Sequence, residues 1–134
     1  MSCNVEALAA QHAGEAQSRL DLPEGIPPLR SLYLYIAGSC NLACRHCWIS
    51  PKHDPRGDRG PFLKLEFAEK AFTEGQPLGL RAVKLTGGEP TLHPQFRKLV
   101  SICDEAGMDI TIESNGTLID VELARFLRQQ RVSF

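Results

Sequence analysis

Hydrophobic positions change their spacing at Leu29, and the change marks where a regular fold begins. Upstream, Val5, Leu8, Ala9 and His12 fall on one helical face, as do Ala16 and Leu20, but Gly14 interrupts the pattern. Pro23, Pro27 and Pro28 then close any helix. Residues 1–28 read as an N-terminal extension and linker, and residues 29–134 as the core of the chain.

Within that core, residues 32–37 form a continuous apolar run, the mark of a strand buried on both faces, and Gly38 ends it. Residues 50–60 are rich in Pro, Gly and charge and read as an exposed loop. Phe67, Ala68, Ala71 and Phe72 then share a helical face that Gly75 and Pro77 terminate. Residues 82–86 predict a second strand, closed by Gly87 and Gly88. Pro94 suits the first turn of a helix in which Phe96, Leu99, Val100 and Cys103 recur at i, i+3, i+4 and i+7, with Gly107 just past its end. Met108, Ile110 and Ile112 alternate with Asp109, Thr111 and Glu113, a third strand. Asp120 is placed to cap a third helix carrying Leu123, Phe126 and Leu127, and residues 132–134 open a fourth strand.

Strand and helix in strict alternation predict an α/β fold of parallel βα units. In such sheets ligands bind beyond the C-terminal ends of the strands. Three polar segments fall there: the cysteine loop after the first strand, Gly87-Gly88-Glu89-Pro90 after the second, and Ser114-Asn115-Gly116-Thr117 after the third. They are expected to face one another across one edge of the sheet.

Composition narrows the function classes. Fifteen basic against sixteen acidic residues give a net charge of −1, which offers no broad field for nucleic acid or an anionic membrane. The longest aliphatic run is too short to span a bilayer, and no basic-then-apolar leader opens the chain. A cytoplasmic setting is expected. Of five cysteines, three crowd into eight residues, a poor disulfide framework and a better metal-binding loop.

That loop reads Cys40-Asn41-Leu42-Ala43-Cys44-Arg45-His46-Cys47, or C-x3-C-x2-C. Three thiolates on one loop can wrap a [4Fe-4S] cluster and leave one iron open to another ligand. A zinc site completed by His46 or His53 is the alternative, although no second two-ligand knuckle is present. Spacing favours iron–sulfur and leaves zinc open.

The cysteine loop after the first strand, followed by Thr86-Gly87-Gly88-Glu89-Pro90 after the second, resembles the radical SAM superfamily. Ser114-Asn115-Gly116-Thr117-Leu118 is similar to a segment of its SPASM-type and molybdenum-cofactor-type branches. The resemblance runs from about Leu29 to the end of the chain and rests on the two motifs in combination.

It implies a [4Fe-4S] cluster held by Cys40, Cys44 and Cys47, with S-adenosylmethionine (SAM) chelating the fourth iron and cleaved reductively to a 5'-deoxyadenosyl radical. By the same match, Glu89 would accept a hydrogen bond from the SAM ammonium. Gly87 and Gly88 would let backbone approach the ligand, and Pro90 would stiffen the turn. Ser114 and Asn115 would contact the SAM ribose or carboxylate, although Asn-Gly is also a common turn dipeptide. His46 is either an aromatic face for adenine or an exposed loop residue, and Trp48 reads as core, with a shield over the cluster or a backbone contact to adenine as the alternative. Glu113 falls on the face opposite Ser114, away from the site. A reductant protein such as ferredoxin or flavodoxin and a peptide or small-molecule substrate are the implied partners. The family fold has six βα units in a partial TIM-like barrel. About three stand here, so the chain is expected to be the first half of that barrel, truncated within its fourth strand. Cys103 reads as a small core residue, and Lys52, Arg56 and Arg59 as solvated.

Overall fold

A computed structural model describes residues 20–56 and 60–133. The helix expected around Val5 to His12, together with Cys3 and Arg59, lies outside the described residues. In chain order the elements are β1 (Ser31–Ala37), β2 (Ser39–Cys40), β3 (Lys52–His53), α1 (Leu65–Gly75), β4 (Ala82–Gly87), a 3-10 turn (Pro90–Leu92), α2 (Phe96–Glu105), β5 (Asp109–Ile112), α3 (Val121–Arg128) and β6 (Val132–Ser133).

The main sheet runs β1-β4-β5-β6 and every pairing in it is parallel. Consecutive strands are neighbours, each pair joined by one helix, so the sheet is wound in a single direction. Register explains why the helices share one side. Leu32 lies opposite Val83 and Val83 opposite Ile110, while Leu34 lies opposite Leu85 and Leu85 opposite Ile112. These rows meet Leu65, Ala68 and Phe72 of α1, Leu99, Val100 and Cys103 of α2, and Leu123 and Leu127 of α3 in one core. Each large aliphatic or aromatic side chain withdrawn in this way contributes about 1.5–3 kcal/mol. One face paved with helices and strands in sequential order is the arrangement of a (βα) barrel wall, not of a doubly wound sheet.

The other face is polar and open. The row Tyr33, Lys84, Thr111, Ser133 crosses all four strands, and Tyr35 stands opposite Thr86. Tyr33 is 60% exposed and Tyr35 50%. The expectation that residues 32–37 are buried on both faces is therefore corrected for their first half. Tyrosine counts as apolar in a run, but its ring here lies along an uncovered face. At the end of β1 the register slips between Tyr35 and Ala37, and both Ile36 and Ala37 are buried. There residues 61–63 run alongside: Ala37 bridges Phe62 antiparallel, and Leu63 N–H donates to Ile36 O (3.0 Å).

Helix ends follow their local chemistry. Asp120 caps α3 through its carboxylate, which accepts from Leu123 N–H (2.7 Å). α2 starts at Phe96, two residues after Pro94, and Gly107 beyond it takes φ +69°. In α1 the buried face is Leu65, Ala68, Phe72 and Gly75, and Phe67 is 62% exposed, which corrects the face expected for it. Gln76 Nε2 ties the end of α1 to Ala106 O at the end of α2 (2.7 Å). Residues 50–60, expected as plain loop, contain β3, which pairs in parallel with β2. This brings His53 beside Cys40 in register, and Asp54 N–H donates to Cys40 O (2.8 Å). Part of the expected linker is docked as well: Leu20 N–H donates to Pro77 O.

Candidate functional site

The C-terminal ends of β1, β4 and β5 bring the three polar segments together, as the βα pattern predicts. β1 leads into β2, which carries Cys40. β4 ends in Gly87, and the turn that follows lies directly on β2. Gly88 N–H donates to Ala37 O (2.8 Å), and Glu89 N–H donates to Ser39 O (2.9 Å). These contacts are why both positions are glycine. Gly87 has φ +132°, and a Cβ there would stand 2.4 Å from Ala37 O. A Cβ on Gly88 would stand 2.0 Å from Ser39 O. Their small size is thus required by the chain's own backbone, a cause different from the ligand approach expected of them.

Glu89 is fully buried, an unusual place for a carboxylate. Its Oε1 accepts from Thr91 N–H (3.0 Å), from Thr91 Oγ1 and from Ser114 Oγ (2.8 Å), and its Oε2 accepts from Asn115 N–H (2.8 Å). The carboxylate caps the 3-10 turn beginning at Pro90 and braces that turn against the end of β5. Ser114 and Asn115 are therefore first of all partners of Glu89. Asn115 also reaches the cysteine loop. Its Nδ2 donates to Asn41 Oδ1 (2.9 Å) and lies 3.7 Å from Cys40 Sγ. Asn41 Nδ2 donates to Thr117 Oγ1 (2.8 Å), and Asn115 Oδ1 accepts from Thr117 N–H (3.0 Å).

The three cysteines differ in setting. Cys40 is buried, Cys47 half-buried and Cys44 exposed, and all three are free thiols. Leu42 N–H donates to Cys40 Sγ (3.4 Å), and Cys47 N–H donates to Cys44 O (3.2 Å). Among the described residues no three His, Cys, Asp or Glu side chains converge on a point able to hold a metal ion, and this includes the thiols with His46 or His53. The donor set itself suits a thiolate-bound cluster: three unbridged sulfurs in eight residues, with N–H groups directed at the buried one. Metal sites commonly complete their geometry only as the ligand loop closes on the metal.

His46 is exposed. Trp48 is 81% exposed, which corrects its reading as core, and it meets Tyr35 edge-on with ring centroids 6.5 Å apart. A cavity of about 370 Å³ opens between the ends of β1 and β4, lined by Tyr35, Ala37, Gly38, Ile49, Phe62, Gly87 and Gly88 among others. Its walls are largely apolar, with Gly38, Gly87 and Gly88 on one side.

His93, for which the sequence shows no partner, is buried. Its Nε2 donates to Leu63 O (2.7 Å), and its Nδ1 accepts from Gln95 N–H (3.0 Å), which fixes a neutral tautomer. It fastens the end of the Glu89 turn to the segment beside β1. The only hint was its place in Leu92-His93-Pro94, directly after that turn. Glu113 lies on the open face, as expected from its alternation with Ser114. Its carboxylate accepts from Lys84 Nζ (2.8 Å) and Thr86 Oγ1 (2.9 Å), which holds it below the ordinary carboxylate range, while Glu113 raises Lys84. Lys84 Nζ also sits 4.7 Å from the Tyr33 ring centroid. Cys103 is core, and burial pushes its thiol up to about 12, so it stays protonated and inert.

A single-wound parallel sheet, helices on one face, a three-cysteine loop at the first strand end and a glycine-glutamate turn at the second together define a class of cofactor-binding barrel wall. The chain belongs to the radical SAM superfamily, whose family profile matches residues 34–134. It is 37% identical over 105 residues to a tungsten-containing aldehyde ferredoxin oxidoreductase cofactor-modifying protein of Pyrococcus furiosus, covering 75% of this chain and 28% of that one. It is 33% identical to an Fe-coproporphyrin III synthase of Methanosarcina barkeri, covering 71% of this chain and 23% of that protein. A probable GTP 3',8-cyclase of Pyrococcus horikoshii is 31% identical, with 76% and 31% covered. The chain thus spans less than a third of the length of these relatives. Among solved structures, Streptococcus suis SuiB bound to its precursor peptide SuiA superposes with a TM-score of 0.65 at 24% identity, over 76% of this chain and 22% of SuiB. SuiB bound to S-adenosylmethionine gives 0.64 at 24% identity, over 76% and 23%. These likenesses show the fold, parallel βα units of a TIM-like barrel. Among the described residues no helix is long and apolar enough to cross a membrane.

Proposed function

We propose that this chain forms the cluster- and SAM-binding part of a radical SAM enzyme, with Cys40, Cys44 and Cys47 as ligands of a [4Fe-4S] cluster. The observation that carries the reading is the junction of Cys40 with the Gly87–Glu89 turn and Asn115 at one sheet edge, within a family whose profile covers the whole junction. When bound together, the cluster and SAM supply one-electron cleavage of the sulfonium to methionine and a 5'-deoxyadenosyl radical.

The chain's own residues hold and orient. Cys40 is held by its strand, while exposed Cys44 and half-buried Cys47 would complete the ligand set of the metal. Gly87 and Gly88 present backbone to the cavity beside Tyr35 and Phe62, a slot that suits the apolar and stacking surfaces of an adenosyl group. Glu89 is buried with one lone pair of Oε2 uncommitted, and it serves the SAM ammonium if the turn opens toward the ligand. Pro90 sets the start of the 3-10 turn behind it. Ser114 and Asn115 complete the wall toward the SAM carboxylate or ribose, and His46 offers a ring at the exposed end of the loop. Residues 29–134 make up this part, with residues 1–28 as its extension. A ferredoxin- or flavodoxin-like reductant in a cytoplasmic setting supplies the electron. The substrate class we favour is a peptide or a cofactor precursor, in keeping with the names of the similar proteins.

Anaerobic reconstitution tests the reading. About four irons per chain with thiolate-to-iron absorbance are expected, together with a change in the reduced cluster's EPR spectrum on adding SAM. Stoichiometric zinc that excludes iron, or a spectrum indifferent to SAM, would sink it.

A further inference from the structure

We propose that Asn115 is a positioning residue that donates a hydrogen bond to the Cys40 sulfur and thereby raises the reduction potential of the cluster. The inference rests on the cluster reading above and gives Asn115 a role separate from touching SAM.

The orientation of the amide follows from its neighbours. A backbone N–H can only donate, so Thr117 N–H, 3.0 Å away, identifies the atom it faces as Asn115 Oδ1. Thr117 Oγ1 donates to the same oxygen (2.7 Å). The two amide hydrogens on Nδ2 then point the other way, where two acceptors stand: Asn41 Oδ1 at 2.9 Å and Cys40 Sγ at 3.7 Å. The latter is a long but admissible N–H to sulfur distance.

The arrangement is held from both ends. Asn115 N–H is anchored on buried Glu89 Oε2 (2.8 Å), and Asn41, which accepts from Asn115, itself donates to Thr117 Oγ1 (2.8 Å). Asn41, Asn115 and Thr117 thus close a ring of hydrogen bonds, and no side chain in it can turn without breaking one. Cys40 Sγ already receives Leu42 N–H at 3.4 Å, so Asn115 is its second donor and the only side chain supplying one among the described residues. Among the described residues no side chain donates to the sulfur of Cys44, which is exposed.

The direction of the effect follows from charge. A reduced cluster carries one more negative charge than the oxidised one, part of it on the sulfurs. A donor to sulfur stabilises the reduced state more and raises the potential. Cys40 is buried, so water replaces a lost donor poorly.

The test is an EPR-monitored redox titration of the anaerobically reconstituted chain without SAM. Asn115→Ser keeps a side-chain oxygen for Thr117 N–H and is too short to reach the sulfur. The expected result is an intact cluster whose reduced-to-oxidised ratio at fixed potential falls roughly three- to tenfold, about 30 to 60 mV lower for a one-electron couple. Asn41→Ala leaves Asn115 in place without the partner that holds its amide, and a smaller shift of the same sign is expected. That variant also gives the answer should Asn115→Ser fail to fold. An unmoved potential in Asn115→Ser, or in Asn41→Ala where it alone can be measured, overturns the proposal while the cluster reading stands. A native chain that takes up no cluster overturns both.

Discussion

At one edge of the sheet, residues 87–93 are held by a dense set of hydrogen bonds, while residues 42–46 are exposed. The turn has Gly88 and Glu89 N–H bonded to the end of β1 and to β2, a buried carboxylate with four donors, and His93 locking its far side. The loop has a Leu42 contact to sulfur and a Cys44 to Cys47 turn. The difference teaches where the site stores its order. The wall that shapes the pocket is ordered by folding, whereas the cysteine loop, on the proposed reading, is left for metal binding to organise.

Three changes break or sharpen this contrast. The largest effect is expected at Gly88→Ala, since a Cβ would meet backbone oxygen at 2.0 Å and no side chain can move aside. Urea unfolding should show a loss of about 3 kcal/mol or more, or no cooperative transition. Glu89→Gln comes next. It turns an amide NH2 toward groups that are themselves donors, and a loss of about 2–3 kcal/mol at unchanged slope is expected. A result near zero would mean that the buried brace is dispensable. Smallest is Cys44→Ser in the metal-free chain, expected within about 0.5 kcal/mol of native because the thiol is exposed. Iron uptake by the same variant should nevertheless drop sharply, which places its importance on the metal and not on the fold.

Much of the fold was legible in the sequence. Asp120 three residues before Leu123 announced its cap, and Phe96, Leu99, Val100 and Cys103 form the buried stripe of α2 that their spacing predicts. Those signals are local, set by helix periodicity and one side-chain bond. The errors arose where burial depends on a distant partner. Residues 32–37 look doubly buried only if tyrosine is assumed to be covered, and nothing local tells that one sheet face stays open. Phe67 shares a nominal face with Phe72, but the contact surface of α1 runs through Leu65, Ala68, Phe72 and Gly75 and leaves Phe67 outside it. Trp48 is apolar by composition and exposed by topology. At the site, the meeting of the three strand-end segments was readable from the βα order. The internal use of Glu89 was not, because its donors Ser114 and Asn115 lie a full βα unit further along. His93 gave no pattern at all, since its partner Leu63 is thirty residues upstream.

The close approach of Gly88 to Ser39 O has a consequence for how mutational phenotypes map onto this edge. On the proposed reading, a chain carrying a larger residue there would lose its cofactors as one lacking Cys40 would, yet by misplacing β2 and not by removing a ligand atom. The two positions would then matter for unrelated reasons. Cysteine at position 40 would be retained for its sulfur, and glycine at 88 for the absence of a single methyl group.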